Sequence, residues 1–272
     1  MNAVDPKVTN FYAQSSEETR LQLGLGPLEF ERNKEIINRY LPKSNGVVAD
    51  VGGGPGHYAE WLAAKGHDVV LIDPVPKHIQ QAEKRAKKSK QSFKALLGEA
   101  GHLPFADHTV DVVILHGPLY HLQDQHARLA ALREAKRVLK KGGLILGFAI
   151  TYSATLVAAL QSSMIHHQDI FAMCKEELLT GKHHAPDSFP GILASAYFHR
   201  PSQLQEEFEI SGLKQIALLA VEGMIWMDQK YFESWAVPEK RKQLLELLKI
   251  TESHSELLCF SPHMVLIASS AD

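Results

Sequence analysis

Val47–Tyr58 reads V-V-A-D-V-G-G-G-P-G-H-Y, and this stretch decides the fold. Its first half, four apolar residues around a single acid at Asp50, has the character of a short buried strand. The glycine-rich run after it opens a helix. Glycines at 52, 54 and 56 admit left-handed backbone angles and carry no Cβ to hold a ligand away. A purely connecting loop would be destabilised by so many glycines, each of which loses more backbone entropy on folding than any other residue. A flat or charged ligand is expected against this turn.

Two ligand classes use such a turn. The dinucleotide pattern G-x-G-x-x-G/A can be laid on Gly54, Gly56 and Ala59 only as a weak match. The spacing D-x-G-x-G-x-G, from Asp50 through Gly52 and Gly54 to Gly56, fits better. A pyrophosphate here would meet a helix N-terminus but sit close to the Asp50 carboxylate, whereas a cationic ligand gains from that acid. The acid-plus-glycines form resembles the first motif of the class I S-adenosylmethionine (SAM)-dependent methyltransferases, of the methyltransferase type 11-like kind. That resemblance implies SAM as cofactor, with its sulfonium and ammonium, and S-adenosylhomocysteine as product. It implies Asp50, Gly52, Gly54 and Gly56 as cofactor-binding residues.

The next strand, Asp68–Asp73 (D-V-V-L-I-D), ends on an acid placed to accept both hydroxyls of a ribose, although Asp73 also opens a proline-rich turn. A helix from Pro76 follows, then a third strand, Phe93–Leu97, running into G-E-A at Gly98–Ala100. In the resembled family the acid of this element faces the adenine amino group, which implies Glu99 and Ala100 as adenine contacts. A fourth strand, Val110–Leu115, leads into H-G-P-L-Y-H-L at His116–Leu122. Ligands of open α/β sheets lie outside the carboxyl ends of the strands, so this loop should face the transferred methyl group. His116 is expected on the cofactor, and Tyr120 and His121 are the leading catalytic candidates. A helix through Leu129, Leu132, Ala135 and Leu139, stopping at Gly142–Gly143, precedes a fifth strand at Leu144–Ile150.

This alternation predicts an α/β fold, a Rossmann-like doubly wound sheet. Strands six and seven are expected at Leu213–Val221 and His263–Ala268, making seven strands with the last antiparallel. Residues 1–45 form an N-terminal helical segment over the cofactor, with Tyr12 near its methionine end as the resemblance implies, or with one packed ring on a surface helix. Ser15 and Glu18 have the spacing of a capping box there. Residues 46–150 are the SAM-binding core. Residues 151–200 are too long for a plain connection and read as a helical cap over the substrate. Residues 201–272 complete the core, with a helical insert at about 223–260 whose leucine stripe is either core or a contact in a homodimer.

Within the cap, His183, Tyr197, His199 and Arg200 are candidate acceptor-side residues. An imidazole titrates near neutrality, and a guanidinium grips an anion in bidentate fashion. The alternative is that they cap helices and cover the surface beside Pro201. His199 is also a candidate base, and Tyr197 a candidate wall. T-G-K-H-H-A-P-D at Thr180–Asp187 reads as a loop, and Ser202 with Gln205 as a capping box. The paired histidines lack ligand spacing, so no metal is expected. H-G-P-L-Y-H-L, A-Y-F-H-R-P (196–201) and the late V-E-G and S-P-H elements also resemble this methyltransferase set.

The totals bound the function. The chain has 272 residues, 45% hydrophobic and 22% charged, with a net charge of -2. That is a globular composition offering no field to attract nucleic acid or an anionic membrane. Two cysteines without a partner pattern suit a reducing cytoplasm, and no long apolar run predicts a membrane span. The expected activity is methyl transfer to an O, N or S atom of a small molecule. An RNA or protein methyltransferase and a SAM-binding sensor or scaffold without turnover remain alternatives.

Overall fold

The Val47–Val51 strand (β1) is buried from Val48 onward and sits in the middle of the molecule. In the computed structural model, which describes residue 12, residues 17–189 and residues 191–270, it pairs in parallel with strands on both sides. Those are β2 (Asp68–Asp73) and β4 (Val110–Leu115). β3 (Lys94–Leu97) lies beyond β2, and β5 (Leu139–Ile150) beyond β4. Near-continuous apolar runs form such strands because a parallel sheet is covered on both faces. Val48, Leu71, Ile114 and Leu146 enter one core, while Ala49, Val70, Val113 and Ile145 enter the other.

The first core is closed by α2 (Gly26–Tyr40), which follows a single turn, α1 (Glu17–Arg20), and by α3 (His57–Ala64) and α4 (Pro76–Lys88). The second is closed by α6 (Gln125–Val138), after the short α5 (Pro118–His121), and by α9 (Pro201–Ile210). β8 (Leu213–Ala220) and β9 (His263–Ser270) complete a seven-stranded sheet in the order β3-β2-β1-β4-β5-β9-β8, with β9 antiparallel to both neighbours. The expected doubly wound architecture is therefore present. The strand order reverses between β1 and β4, where a ligand crevice opens. No helix among the described residues is long and apolar enough to cross a membrane.

The boundaries differ from the sequence reading in four places. α6 ends at Val138, because Leu139 is already extended and pairs with Val110, and the K-K-G-G run lies in the irregular stretch of the pairing before Leu144. The 180–187 stretch is not all loop: β6 (Lys182–His184) pairs antiparallel with β7 (Ser195–Tyr197) as a two-stranded ribbon. The ribbon follows two helices, α7 (Ala154–Gln161) and α8 (Gln168–Thr180), so the insertion is not wholly helical. The capping partner of α9 is Gln203, whose Oε1 accepts from the Arg200 amide at 3.1 Å, two residues earlier than the expected Ser202–Gln205 box. Ser15, half of the other expected capping box, lies outside the described residues.

The insertion starts and ends at one point: His199 N donates to Ile150 O at 2.8 Å, and Tyr152 N to His199 O at 3.0 Å. The second insert contains α10 (Tyr231–Ala236) and α11 (Pro238–Thr251). Its leucine stripe is split, with Leu248 fully buried and Leu247 58% exposed.

Two buried ion clusters pin these parts. Arg128 on α6 donates to Glu207 on α9 at 2.7 Å, to the carbonyls of Leu122 and Gln123, and lies 3.8 Å from the Tyr197 ring centroid. Arg32, on α2, is bonded to Glu252 just past α11, which Arg39 also grips. Removing one member of a buried pair leaves the other charge desolvated, at a cost of about 3–5 kcal/mol. Arg128→Ala should therefore lower the urea unfolding free energy by about that amount, and Arg128→Met with Glu207→Leu should recover most of it.

Candidate active site

The site grows from the turn after β1. Gly52, Gly54 and Gly56 have φ of +76°, +55° and +89°. A Cβ on Gly52 would come within 2.0 Å of the His116 carbonyl oxygen, so here the two strand-end loops touch backbone to backbone. At Gly54 a Cβ would meet only Glu17 Cγ at 3.9 Å, because that face opens into a cavity. Gly56 has another task. A Cβ there would meet Phe93 Cζ at 2.9 Å and Ala82 at 3.3 Å, so it admits close packing under α3, and it is not on the cavity wall.

The cavity holds about 660 Å³ and runs across the carboxyl ends of β1, β2 and β4. Asp73 is 4% exposed on its wall and tightly held. Its Oδ2 accepts from Gly54 N at 2.9 Å, and its Oδ1 from Val75 N at 2.9 Å and faces His78 Nδ1 at 3.1 Å. A carboxylate offers about four lone-pair directions, so one remains for a ligand hydroxyl. Glu99 and Ala100 also line the cavity, with Gly98 and Gly101 beside them.

Asp50 is not on the wall. It is fully buried beneath Gly53, with Oδ1 3.5 Å from His116 Nδ1 and Oδ2 without a partner. The alternation along β1 turns it into the core that holds Tyr58 and Phe148. Between it and the cavity stands His116, a wall residue stacked between the rings of Tyr58 (4.4 Å) and Phe148 (4.2 Å).

Tyr12, Tyr120 and His121 come together as expected. The Tyr12 hydroxyl lies 2.9 Å from His121 Nε2, and the rings meet edge to face at 5.3 Å. Burial raises the pKa of both tyrosines, keeping their hydroxyls protonated.

The four cap candidates do not reach the cavity. His183 is buried between Glu177 Oε1 (2.6 Å) and Leu193 O (2.5 Å). His199 is fully buried, with Nε2 3.3 Å from Glu207 Oε2. Tyr197 covers Arg128, and the exposed Arg200 donates to Leu178 O and lies over the Tyr152 ring. The cause is the ribbon: its second strand runs back to the end of β5 and leaves its polar side chains to hold the insertion together. The cap instead presents Gly191 and Leu193 to the cavity.

Sequence reasoning missed the other end of the cavity. Glu29 accepts from Arg20 through both oxygens, at 2.6 and 2.9 Å. Burial raises the Glu29 pKa, but Arg20 and His263 outweigh it and hold it down at about 2. Beside them His263 Nδ1 lies 2.7 Å from Glu222 Oε1, 41 residues away in sequence. The only sequence signal was the pair of short V-E-G and S-P-H elements.

A seven-stranded sheet of this order, with a glycine turn and a strand-end acid opening on one crevice, defines the class I methyltransferase architecture. The comparisons agree. The family described as a methyltransferase domain matches residues 49–147. An uncharacterized methyltransferase of Mycobacterium bovis is 32% identical over 134 residues, 47% of this chain and 52% of that one. The chain thus spans about half the length of this curated relative. A SAM-dependent methyltransferase of Methanosarcina mazei has the same fold, with a TM-score of 0.59 at 20% identity over 86% of this chain and 96% of that one. A Pyrococcus horikoshii protein aligns at 0.63 and 16% identity over 96% and 98%. Residues 49–147 thus match a methyltransferase domain, the sheet has the fold of these methyltransferase structures, and SAM is the cofactor such domains imply.

Burial outweighs the pull of Asp73 and pushes the His121 pKa down to about 4. The unfolded chain takes that proton near 6.5. Below this value the unfolded state binds more protons than the folded one, so stability falls as pH drops from about 6.5 toward about 4. Urea unfolding should show the wild type losing on the order of 3 kcal/mol more than His121→Asn across that window.

Proposed function

We propose that the protein moves the methyl group of SAM to an oxygen, nitrogen or sulfur atom of a small-molecule acceptor. The observation that carries this is the crevice itself: open glycine faces, a buried strand-end carboxylate and a neutral tyrosine–histidine wall lie around one cavity. Asp73 suits one ribose hydroxyl and Glu99 with Ala100 the adenine. The backbone of Gly52–Gly54 and the His116 ring suit the methionine portion, with Asp50 contributing its charge from beneath. When bound, the cofactor supplies an electrophilic methyl carbon on a sulfonium. The chain's own contribution is to align the acceptor at about 3–3.5 Å and keep water out.

Tyr12, Tyr120 and His121 are assigned to that alignment as polar, uncharged wall. Residues 1–45 are assigned as the cofactor cover, 46–150 as the core, 151–200 as the cap and 201–272 as the rest of the core. Leu193 of the cap and Leu21 and Leu23 of the N-terminal segment narrow the cavity, which favours a small acceptor. A polymer would need an open basic groove, and the net charge is -2. The two free cysteines suit a reducing cytoplasm.

Calorimetric titration tests the reading. SAM and S-adenosylhomocysteine should bind at micromolar concentration and NADH should not. Asp73→Ala should weaken both by about 10–100-fold, since a hydrogen bond to a charged group contributes about 1.5–3 kcal/mol. Binding of NADH alone would make the protein a dehydrogenase.

A further inference from the structure

At the end of the cavity away from Asp73, His263 opens β9 and Glu222 follows β8. Their side chains meet because the two strands are neighbours in the sheet. Glu222 is 1% exposed and its oxygens are spent inside the protein. Oε1 faces His263 Nδ1 at 2.7 Å, Oε2 accepts from His263 N at 2.9 Å, and the Ser261 hydroxyl, with one proton to give, lies 3.1 Å from Oε2 and 2.6 Å from His263 O. Ser261 Oγ in turn accepts from the amides of Glu222 and Gly223, at 3.1 and 3.0 Å. The carboxylate therefore cannot turn away, and it fixes the imidazole with Nδ1 as donor and Nε2 as the free acceptor. The side chain is 25% exposed and lines the cavity. A buried carboxylate behind an imidazole that faces a reaction cavity is the arrangement of an oriented general base.

We propose that His263, held by Glu222, accepts the proton of the attacking atom, and that the acceptor is a phenol or a thiol. This rests on the methyltransferase reading above. The acceptor X–H proton passes to His263 Nε2 while its bonding pair stays on X. That pair forms the new X–CH₃ bond, and the carbon–sulfur pair returns to sulfur. Water then takes the proton from Nε2, and Nδ1–H stays on the Glu222 carboxylate throughout.

One observation selects the acceptor class. An imidazole suits an X–H group of moderate acidity, such as a thiol near about 8.5 or a phenol near about 10, and is too weak for an aliphatic alcohol. The neighbouring carboxylates already carry partners, Arg20 on both Glu29 oxygens and His263 with Ser261 on Glu222, so the imidazole is the group placed to take a proton from X–H. The charged and titratable groups facing His263 are Glu222 after β8, Glu29 from α2 and Arg20 from α1, with His116 next along the wall. Burial lowers the imidazole pKa, but the two carboxylates outweigh burial and Arg20 and leave it raised. Glu29, Glu222 and His263 have ligand atoms within 4.8 Å of one another, as a metal site would, but Arg20 and the hydrogen bonds just named already occupy the carboxylates.

Two readouts test the proposal. In ¹⁵N NMR without cofactor, the His263 imidazole, assigned by its loss in His263→Asn, should titrate above the free value with Nδ1 protonated. Glu222→Gln should bring it down. A wild-type His263 at or below the free value, or one indifferent to Glu222→Gln, overturns the dyad.

The second readout is S-adenosylhomocysteine release with 4-nitrophenol, catechol, thiophenol and, for contrast, benzylamine and histamine. The wild type should methylate a phenol or thiol, with an acidic limb in its pH profile. His263→Asn should lose about 10²–10⁴-fold in kcat and the limb, with SAM affinity unchanged. Turnover of amines alone, no turnover by protein that binds SAM, His263→Asn within threefold of wild type, or activity lost to a chelator and restored by zinc or magnesium each overturns it. Failure to bind SAM sinks the methyltransferase reading instead, and the NMR arm still decides whether the dyad exists.

Discussion

The loops leaving β1 and β4 are in backbone contact, and the cavity depends on that contact. At Gly52 any side chain would collide with the His116 carbonyl at 2.0 Å. Two parallel strands diverge at this point toward helices on opposite faces, and the crevice between them is the one place where a ligand can reach the strand ends. With the loops held together there, Gly54 faces open space and its amide is free to take the Asp73 carboxylate. Asp73 then ties the β1 turn to the start of α4. The ligand wall is thus built from backbone and one acid.

Around this wall, charge is handled by enclosure. Asp73 is tied by two amides and an imidazole, Glu29 by a guanidinium, Glu222 by an imidazole, an amide and a hydroxyl. Buried carboxylates held by several hydrogen bonds are fixed in place. The cavity therefore keeps an acidic character on the side that meets a cationic cofactor, with little freedom for any of these groups to swing onto the acceptor. His121, whose Nε2 meets the Tyr12 hydroxyl and whose Nδ1 has no hydrogen-bond partner among the described residues, is pushed the other way by burial and stays neutral. Two histidines on one cavity wall thus shift in opposite directions, and the difference is the pair of carboxylates, Glu222 and Glu29, beside His263.

The cap shows why local chemistry misleads. His183, His199 and Arg200 have the residue types of an anion-binding site, and on sequence grounds they point toward an acceptor. In the structure they are internal ties: His183 bridges α8 to Leu193, and His199 joins Glu207 behind Arg128. An insertion without a large core of its own needs such polar struts to keep its shape. Nothing in the linear spacing separates a strut from a ligand contact, because the deciding fact is which way the ribbon turns after Tyr197.

The sequence by itself determined the doubly wound sheet, its antiparallel last strand and the glycine turn, since apolar runs and glycines act over a few residues and do not depend on distant partners. Gly52, Gly54, Asp73, Glu99, His116, Tyr120 and His121 could be placed near strand ends for that reason, and the doubly wound topology brings them to one cavity. Only the tertiary structure decided that Asp50 lies beneath the wall, that Gly56 packs under α3, and that Glu222 and His263 meet. Those outcomes depend on the face to which a strand residue turns and on the antiparallel return of β9 beside β8. Such pairings are made across the sheet by hydrogen bonds between residues 41 apart, and no local pattern records them.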